Sequence, residues 1–307
     1  LSLPARSSVN ILGSNQQGFQ KIQTMNEQAG TELKETKRSD DTTSKVNQFF
    51  VAHLLIDFHE ICIISAALPL VTLFICFVTA YVFQAEEVHE THCRVYNIIP
   101  SISAITGVSP QRYFWRICIA LHIGPRFPIA AIYKNYYRGL LVNLESRDRI
   151  KHANFLINLV FWLHTIEVAS LCGVTYISNR ENYPIHEKIF IIFMVVSLCH
   201  MLATIKLYEL LHTNETISER QISSLKWKKS LFAVSIISTI GLILFFLKHR
   251  LLCHEMAFSW FALCEYVIAS ANMGFHCTTM LDFPMQQFII AQGPPEKLKS
   301  ILFYYCD

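Results

Sequence analysis

"RICIALHIGPRFPIAAIY", Arg116 to Tyr133, is apolar enough to enter a bilayer, yet it carries Arg116, His122, Pro125 and Arg126. A spanning helix needs about 20 mainly apolar residues. A charge at its centre costs roughly 3 kcal/mol unless a neighbouring group compensates it. The stretch therefore predicts one helix of a packed bundle, its polar side chains turned inward, rather than a lone anchor.

The surrounding chain repeats the pattern. Six runs qualify as spans: Ile61–Phe83, Tyr113–Tyr133, about Asn154–Ile177, about Ile189–Tyr208, Ser230–Leu247 and about Met256–Met280. The second, third and sixth are interrupted by polar residues and need neighbours. The expected fold is all-α: a polytopic membrane domain of six transmembrane helices over residues 51–285. Residues 1–50 are polar and aperiodic, which predicts a disordered cytosolic tail. They contain no apolar core of about 7–15 residues, as a secretory signal would. Residues 286–307 read as a short cytosolic C-terminal tail. Of the 307 residues 52% are hydrophobic and only 16% charged, against roughly 25% in soluble domains. The net charge of +3 comes with no basic stripe interleaved with aromatics, which argues against a nucleic-acid partner.

Lys and Arg set the orientation. The 134–151 connection has Lys134, Arg138, Arg147, Arg149 and Lys151; the 209–229 connection has Arg220, Lys226, Lys228 and Lys229; the tail adds Lys34, Lys37, Arg38 and Lys45. The connections on the other side, 84–112, 178–188 and 248–255, are poorer in both residues. Both termini are therefore expected in the cytosol, and the sequon at Asn214 should lie there unmodified. Of ten cysteines, only Cys93 and Cys253 fall in the lumenal connections. A disulfide between them is the natural reading, with two free thiols as the alternative.

Depth along each span, at 1.5 Å per residue, sorts the buried polar groups. His122, Glu167 and Glu265 lie about nine or ten residues from the lumenal end, and Arg126 and His200 slightly deeper. At 100° per residue, Arg116, His122 and Arg126 share an arc of about 120°, and Glu265, Asn272 and His276 one of about 40°. Ala262 and Ala269 lie in the latter stripe, where small side chains permit close approach. Glu167 and Glu265 are expected to neutralise the arginines. Such a layer is either a functional site or a staple holding helices in register. His89 and His92 lack an evident further ligand, so no metal site is assigned. The "IHE" at Ile185–Glu187 is read as capping the fourth span. No GxSxG, P-loop or dinucleotide fingerprint occurs.

Several segments resemble the post-GPI attachment to proteins factor two family. They are "THC" at Thr91–Cys93, followed by "IIPSISAITG" and "PQRYFWRICIALHIGPRF"; "YIS" with "IHE" downstream; "SLCHM" at Ser197–Met201; and "LCEYVIASANMGFHCTTMLDF" at Leu263–Phe283. The likeness covers about residues 60 to 285 and extends to a superfamily with the damage-regulated autophagy modulators and Sfk-type proteins. The tail before residue 50 departs from the family pattern. The resemblance carries over onto Arg112, Arg116, His122, Arg126, Glu167, His186, Glu187, His200, Glu265, Asn272, His276 and Asp282, and onto Cys93 and Cys253.

It implies a multi-pass protein of the Golgi membrane, or also the ER membrane, required for putting a fatty acid back onto lyso-GPI-anchored proteins. Its implied partners are those proteins and membrane lipids. No cofactor is implied, and no residue names an acyl donor. On this reading Arg112, Arg116, Arg126, Asn272 and His276 are the candidate lipid- and phosphate-binding residues. The candidate acid–base set is His122, Glu167, Glu265 and His200. His122 would take the proton of the glycerol hydroxyl, and Glu167 or Glu265 would orient its ring. The alternative is a non-catalytic lipid-binding or adaptor protein that presents lyso-GPI to, or stabilises, a separate membrane acyltransferase.

Overall fold

The structure, a computed structural model, describes residues 51–212, 218–283 and 286–292. Asn214 and the residues of both tails before 51 and after 292 lie outside the described residues. Six long helices dominate: α1 (Phe58–Phe83), α4 (Gln111–Leu140), α5 (Arg147–Tyr176), α6 (Tyr183–Leu211), α7 (Glu219–Leu252) and α8 (Ala257–Cys277). Two short helices, α2 (Ala85–His89) and α3 (Ile102–Gly107), fill the connection after α1, and α9 (Thr279–Asp282) follows α8.

Most of the long helices overrun the apolar runs that predict them, and in α6 and α7 polar residues cap the extended N-termini. α7 starts well before Ser230. The Ser218 hydroxyl accepts from the Gln221 N–H at 3.3 Å, and the Gln221 side chain accepts from the Ser218 N–H at 3.0 Å. This reciprocal box satisfies two donors that a helix N-terminus otherwise leaves orphaned. At the start of α6 the cap is Asn182, whose side chain accepts from the Ile185 N–H at 3.2 Å. The "IHE" segment is therefore inside the helix rather than its cap.

α5 packs on α6, α7 on α8, and α4 bridges α1 and α5. Tyr137, Ala153, Ile157, Leu207 and Tyr208 close the space between α4, α5 and α6. Gly241 of α7 faces Cys264 of α8; a Cβ there would meet the sulfur at 3.0 Å, so these two helices touch nearly backbone to side chain. The outward faces carry Phe74, Phe83, Trp162, Ile237 and Leu251, all exposed. Soluble monomers rarely show apolar surface on this scale.

Four helices, α1, α5, α6 and α7, are long and apolar enough to cross a membrane. α4 matches them in length, at 30 residues, and α8 is shorter, at 21; both are less apolar, since the arginines of the one and the Glu265, Asn272 and His276 of the other dilute them. The expectation of a purely helical chain needs one correction. β1 (Val51–Asp57) pairs with β2 (Gln287–Gln292) in a two-stranded sheet, so part of the segment read as a C-terminal tail is an extended strand. Cys93 and Cys253 are disulfide-bonded, with Cα atoms 5.4 Å apart. The bond ties the connection before α3 to the turn between α7 and α8.

Candidate functional site

Four helices deliver polar groups to one buried point, each at a helical spacing that puts two of them on the same face. α4 supplies His122 and Arg126, α5 His164 and Glu167, α6 Ser197 and His200, and α8 Asn272 and His276. The hub is Glu167, which is 0% exposed. Its Oε1 accepts from Arg126 Nη2 at 3.0 Å and from Asn272 Nδ2 at 2.9 Å, and lies 3.0 Å from His276 Nε2. Its Oε2 lies 2.8 Å from His200 Nδ1. Arg126 Nη2 also touches His276 Nε2. Asn272 donates a second bond to Ser197 Oγ at 2.6 Å, which fixes the amide. A carboxylate this deep is tolerable only because charged and dipolar donors surround it.

His122 stands beside this hub but is held by α1. Its Nδ1 is 2.6 Å from the Ser65 carbonyl oxygen. A carbonyl only accepts, so Nδ1 carries the proton and Nε2 keeps the lone pair. That Nε2 is buried and has no partner among the described residues. Neither Glu167 nor Glu265 orients the ring, contrary to the expectation from depth. Ser65 does so through its backbone.

Glu265 does not join the hub. Its Oε2 accepts from the Ile102 N–H of α3 at 2.9 Å, and no arginine reaches it. It shares depth with His122 but faces another cavity. Arg116 is likewise absent from the hub. It sits at the end of the bundle, 2.6 Å from Glu181 and 2.8 Å from the Tyr176 carbonyl. Arg112 approaches the same carboxylate at 3.7 Å. The Ser178 N–H and then the Ser178 hydroxyl and Arg116 hold the Glu181 carboxyl below the usual carboxylate range. Two guanidiniums thus share one carboxylate, which leaves net positive charge there.

Two partly open, mainly apolar pockets lie one beyond the other along the bundle. Pro69, Ile119, Leu171 and Met194 line the one nearer Arg116; Ser65, His122, His164 and His200 line the other, each one or two turns further along the same helix. His122 lines the second of these pockets, and Met273 is the residue common to both. His186, with Nδ1 2.7 Å from the Ile177 carbonyl, and Glu265 face the first cavity.

A second buried constellation was read only as loop charge and motif. Lys228, counted above as a cytosolic-loop cation, lies inside α7. Its Nζ is 2.7 Å from Asp282 Oδ2 and 2.5 Å from Ser224 Oγ, and Ser224 Oγ and Tyr133 OH each donate to Asp282 at 2.6 Å. His164 escaped the sequence reading too, although His164 and Glu167 sit three apart on one helix, a spacing that puts two side chains together. His89, weighed with His92 as a metal pair, lies between the Ala85 and Ile98 carbonyls.

Residues 57–286 match the family model described as the Frag1/DRAM/Sfk1/Cwh43P N-terminal domain. The chain is 62% identical over 267 residues to a Drosophila melanogaster protein named post-GPI attachment to proteins factor 2-like, covering 87% of this chain and 82% of that protein. It is 36% identical over 234 residues to a Xenopus tropicalis protein named acyltransferase PGAP2, covering 76% and 90%. A Caenorhabditis elegans protein named post-GPI attachment to proteins factor 2 is 32% identical over 248 residues, covering 78% and 90%. No solved structure matches the chain.

Proposed function

The chain belongs to the Frag1/DRAM/Sfk1/Cwh43P N-terminal domain family, and from that premise we propose that it remodels the lipid of GPI-anchored proteins, transferring a fatty acyl chain onto lyso-GPI. The names of its relatives, post-GPI attachment factors and an acyltransferase, support the substrate class. The observation that carries the chemistry is His122 Nε2, which is buried without a partner among the described residues, on a side chain that lines an apolar pocket one helical turn from Ile119 of the neighbouring pocket. A transferase must bring two acyl-bearing lipids to one base. Here the acceptor's chain occupies the cavity nearer Arg116, its phosphate meets Arg112 and Arg116, and the donor's chain occupies the other. His122 Nε2 takes the proton of the glycerol hydroxyl as its oxygen attacks the donor's carbonyl carbon; the bond from that carbon to the donor's own oxygen or sulfur then breaks, and the departing group leaves with the proton returned by His122. The decisive experiment is purified protein in lipid with lyso-GPI and candidate acyl donors, scored for the diacyl product; absence of product with every donor tested removes the transferase reading in favour of a carrier.

α4 and α8 cross the bilayer alongside the four more apolar helices in this reading, which makes six crossings and puts both termini in the cytosol, within the Golgi or ER membrane. Arg126, Asn272 and His276 of α4 and α8 turn inward onto Glu167, and Glu265 accepts from the Ile102 N–H, which makes the two helices compatible with hydrocarbon. Asn214 then carries no glycan, because the α6–α7 connection is cytosolic. A mass shift on glycosidase treatment that Asn214→Gln abolishes would reverse the topology.

Arg116→Lys keeps the charge but loses the planar fork that matches a phosphate. It should lower lyso-GPI capture about tenfold, the value of one or two charge-assisted hydrogen bonds, while turnover survives at saturating substrate. Unchanged capture would remove Arg116 from phosphate recognition and leave it as the partner of Glu181.

A further inference from the structure

We infer that His164, Glu167, His200 and His276 form a zinc site inside the helical bundle. The set is separate from His89 and His92, and His164 completes it. Each of the four offers one ligand atom, and those atoms all lie within 4.8 Å of one another. Tetrahedral zinc with bonds of about 2.0–2.1 Å needs them somewhat closer, a contraction that rotation of the imidazoles supplies. Three imidazoles and one carboxylate are the nitrogen-rich donor set that zinc favours over magnesium or calcium.

A second observation points to a shared ion rather than to pairwise bonds. His200 Nδ1 and Glu167 Oε2 approach to 2.8 Å, yet neither makes an aligned hydrogen bond, and both are buried. Unsatisfied groups in a closed interior call for an explanation, and a missing ion is one. The outer contacts are those a metal ligand set uses. His164 Nε2 is 3.2 Å from the Arg126 carbonyl, which leaves its Nδ1 for the metal, and Asn272 fixes Glu167.

Arg126 is the competitor. Its Nη2 takes up Glu167 Oε1 and His276 Nε2, the atoms that zinc would take, so guanidinium and zinc exclude one another there. Arg126 Nε and Nη1 have no partners among the described residues, and the side chain lines a partly open pocket into which it can withdraw. With four protein ligands the site is closed, hence a clamp of α5, α6 and α8 rather than an open catalytic centre. The inference does not depend on acyl transfer.

The test is elemental analysis of the full chain purified in detergent, then dialysed with zinc chloride and desalted. About one zinc per chain is expected, with nitrogen and oxygen neighbours only in zinc X-ray absorption. The double variant His164→Ala, His276→Ala should hold less than about a tenth of that at unchanged size-exclusion profile. Arg126→Gln should slow zinc loss to a chelator severalfold. Substoichiometric zinc in the wild-type chain, or a sulfur neighbour in its absorption spectrum, overturns the site whatever the variants do; full zinc retention in the folded double variant overturns it as well.

Discussion

Replacing His122 with glutamine should lower acyl transfer by about 10²-fold or more, the usual contribution of a positioned base, while lyso-GPI capture stays intact. Glutamine is similar in size, and its amide can donate to the Ser65 carbonyl in place of the ring Nδ1–H. What it lacks is a basic lone pair where Nε2 now sits. The measurement is product formation by the purified variant in lipid, paired with the recovery of saturated anchors in cells lacking the protein at matched abundance. Full recovery at normal abundance would sink the general-base role and leave His122 as a carrier or packing residue.

The largest effect on stability is expected at Asp282. Lys228 and Asp282 have side chains 1% and 0% exposed, and Asp282 also collects bonds from Ser224 and Tyr133. Asp282→Ala leaves the ammonium of Lys228 buried and unpaired, at a cost of about 3–5 kcal/mol. Replacing both partners by apolar residues of similar volume, Lys228→Met with Asp282→Leu, should recover most of that loss, since a buried pair is often neutral against its hydrophobic equivalent. Thermal unfolding in detergent for the two singles and the double closes the cycle. A double variant no better than Asp282→Ala would mean that the hydroxyl partners, not the charge pair, hold this end of the bundle.

α1, α5, α6 and α7 could be read from their apolar runs alone, because a length and apolarity sufficient to cross a membrane leave a plain compositional mark. Helix ends could not, since Ser218 and Asn182 act through caps outside those runs. For the site, spacing gave depth along each helix but not which neighbour each face meets. His122 and Glu265 share a depth yet line different cavities. Arg126, Glu167, His200, Asn272 and His276 could be found because polar side chains in apolar runs stand out. Ser65 and Ser197 could not, since serine is common in both settings. Lys228 was misassigned for a physical reason too. A lysine at the edge of an apolar run counts as a topology signal unless its buried counter-ion, here 54 residues away in the chain, is known.

The hub around Glu167 draws its donors from both ends of the chain's order of synthesis. Arg126 precedes Glu167, His200 follows it, and Asn272 and His276 arrive only with α8. Chains emerge at about 5–20 residues per second, so for several seconds Glu167 has left the ribosome with Arg126 as its sole firm charge partner. Arg126 and Glu167 thus meet as soon as α4 and α5 pack, whereas the bonds from Asn272 and His276 wait until the last long helix docks, so closure of the hub reports that the whole bundle has assembled.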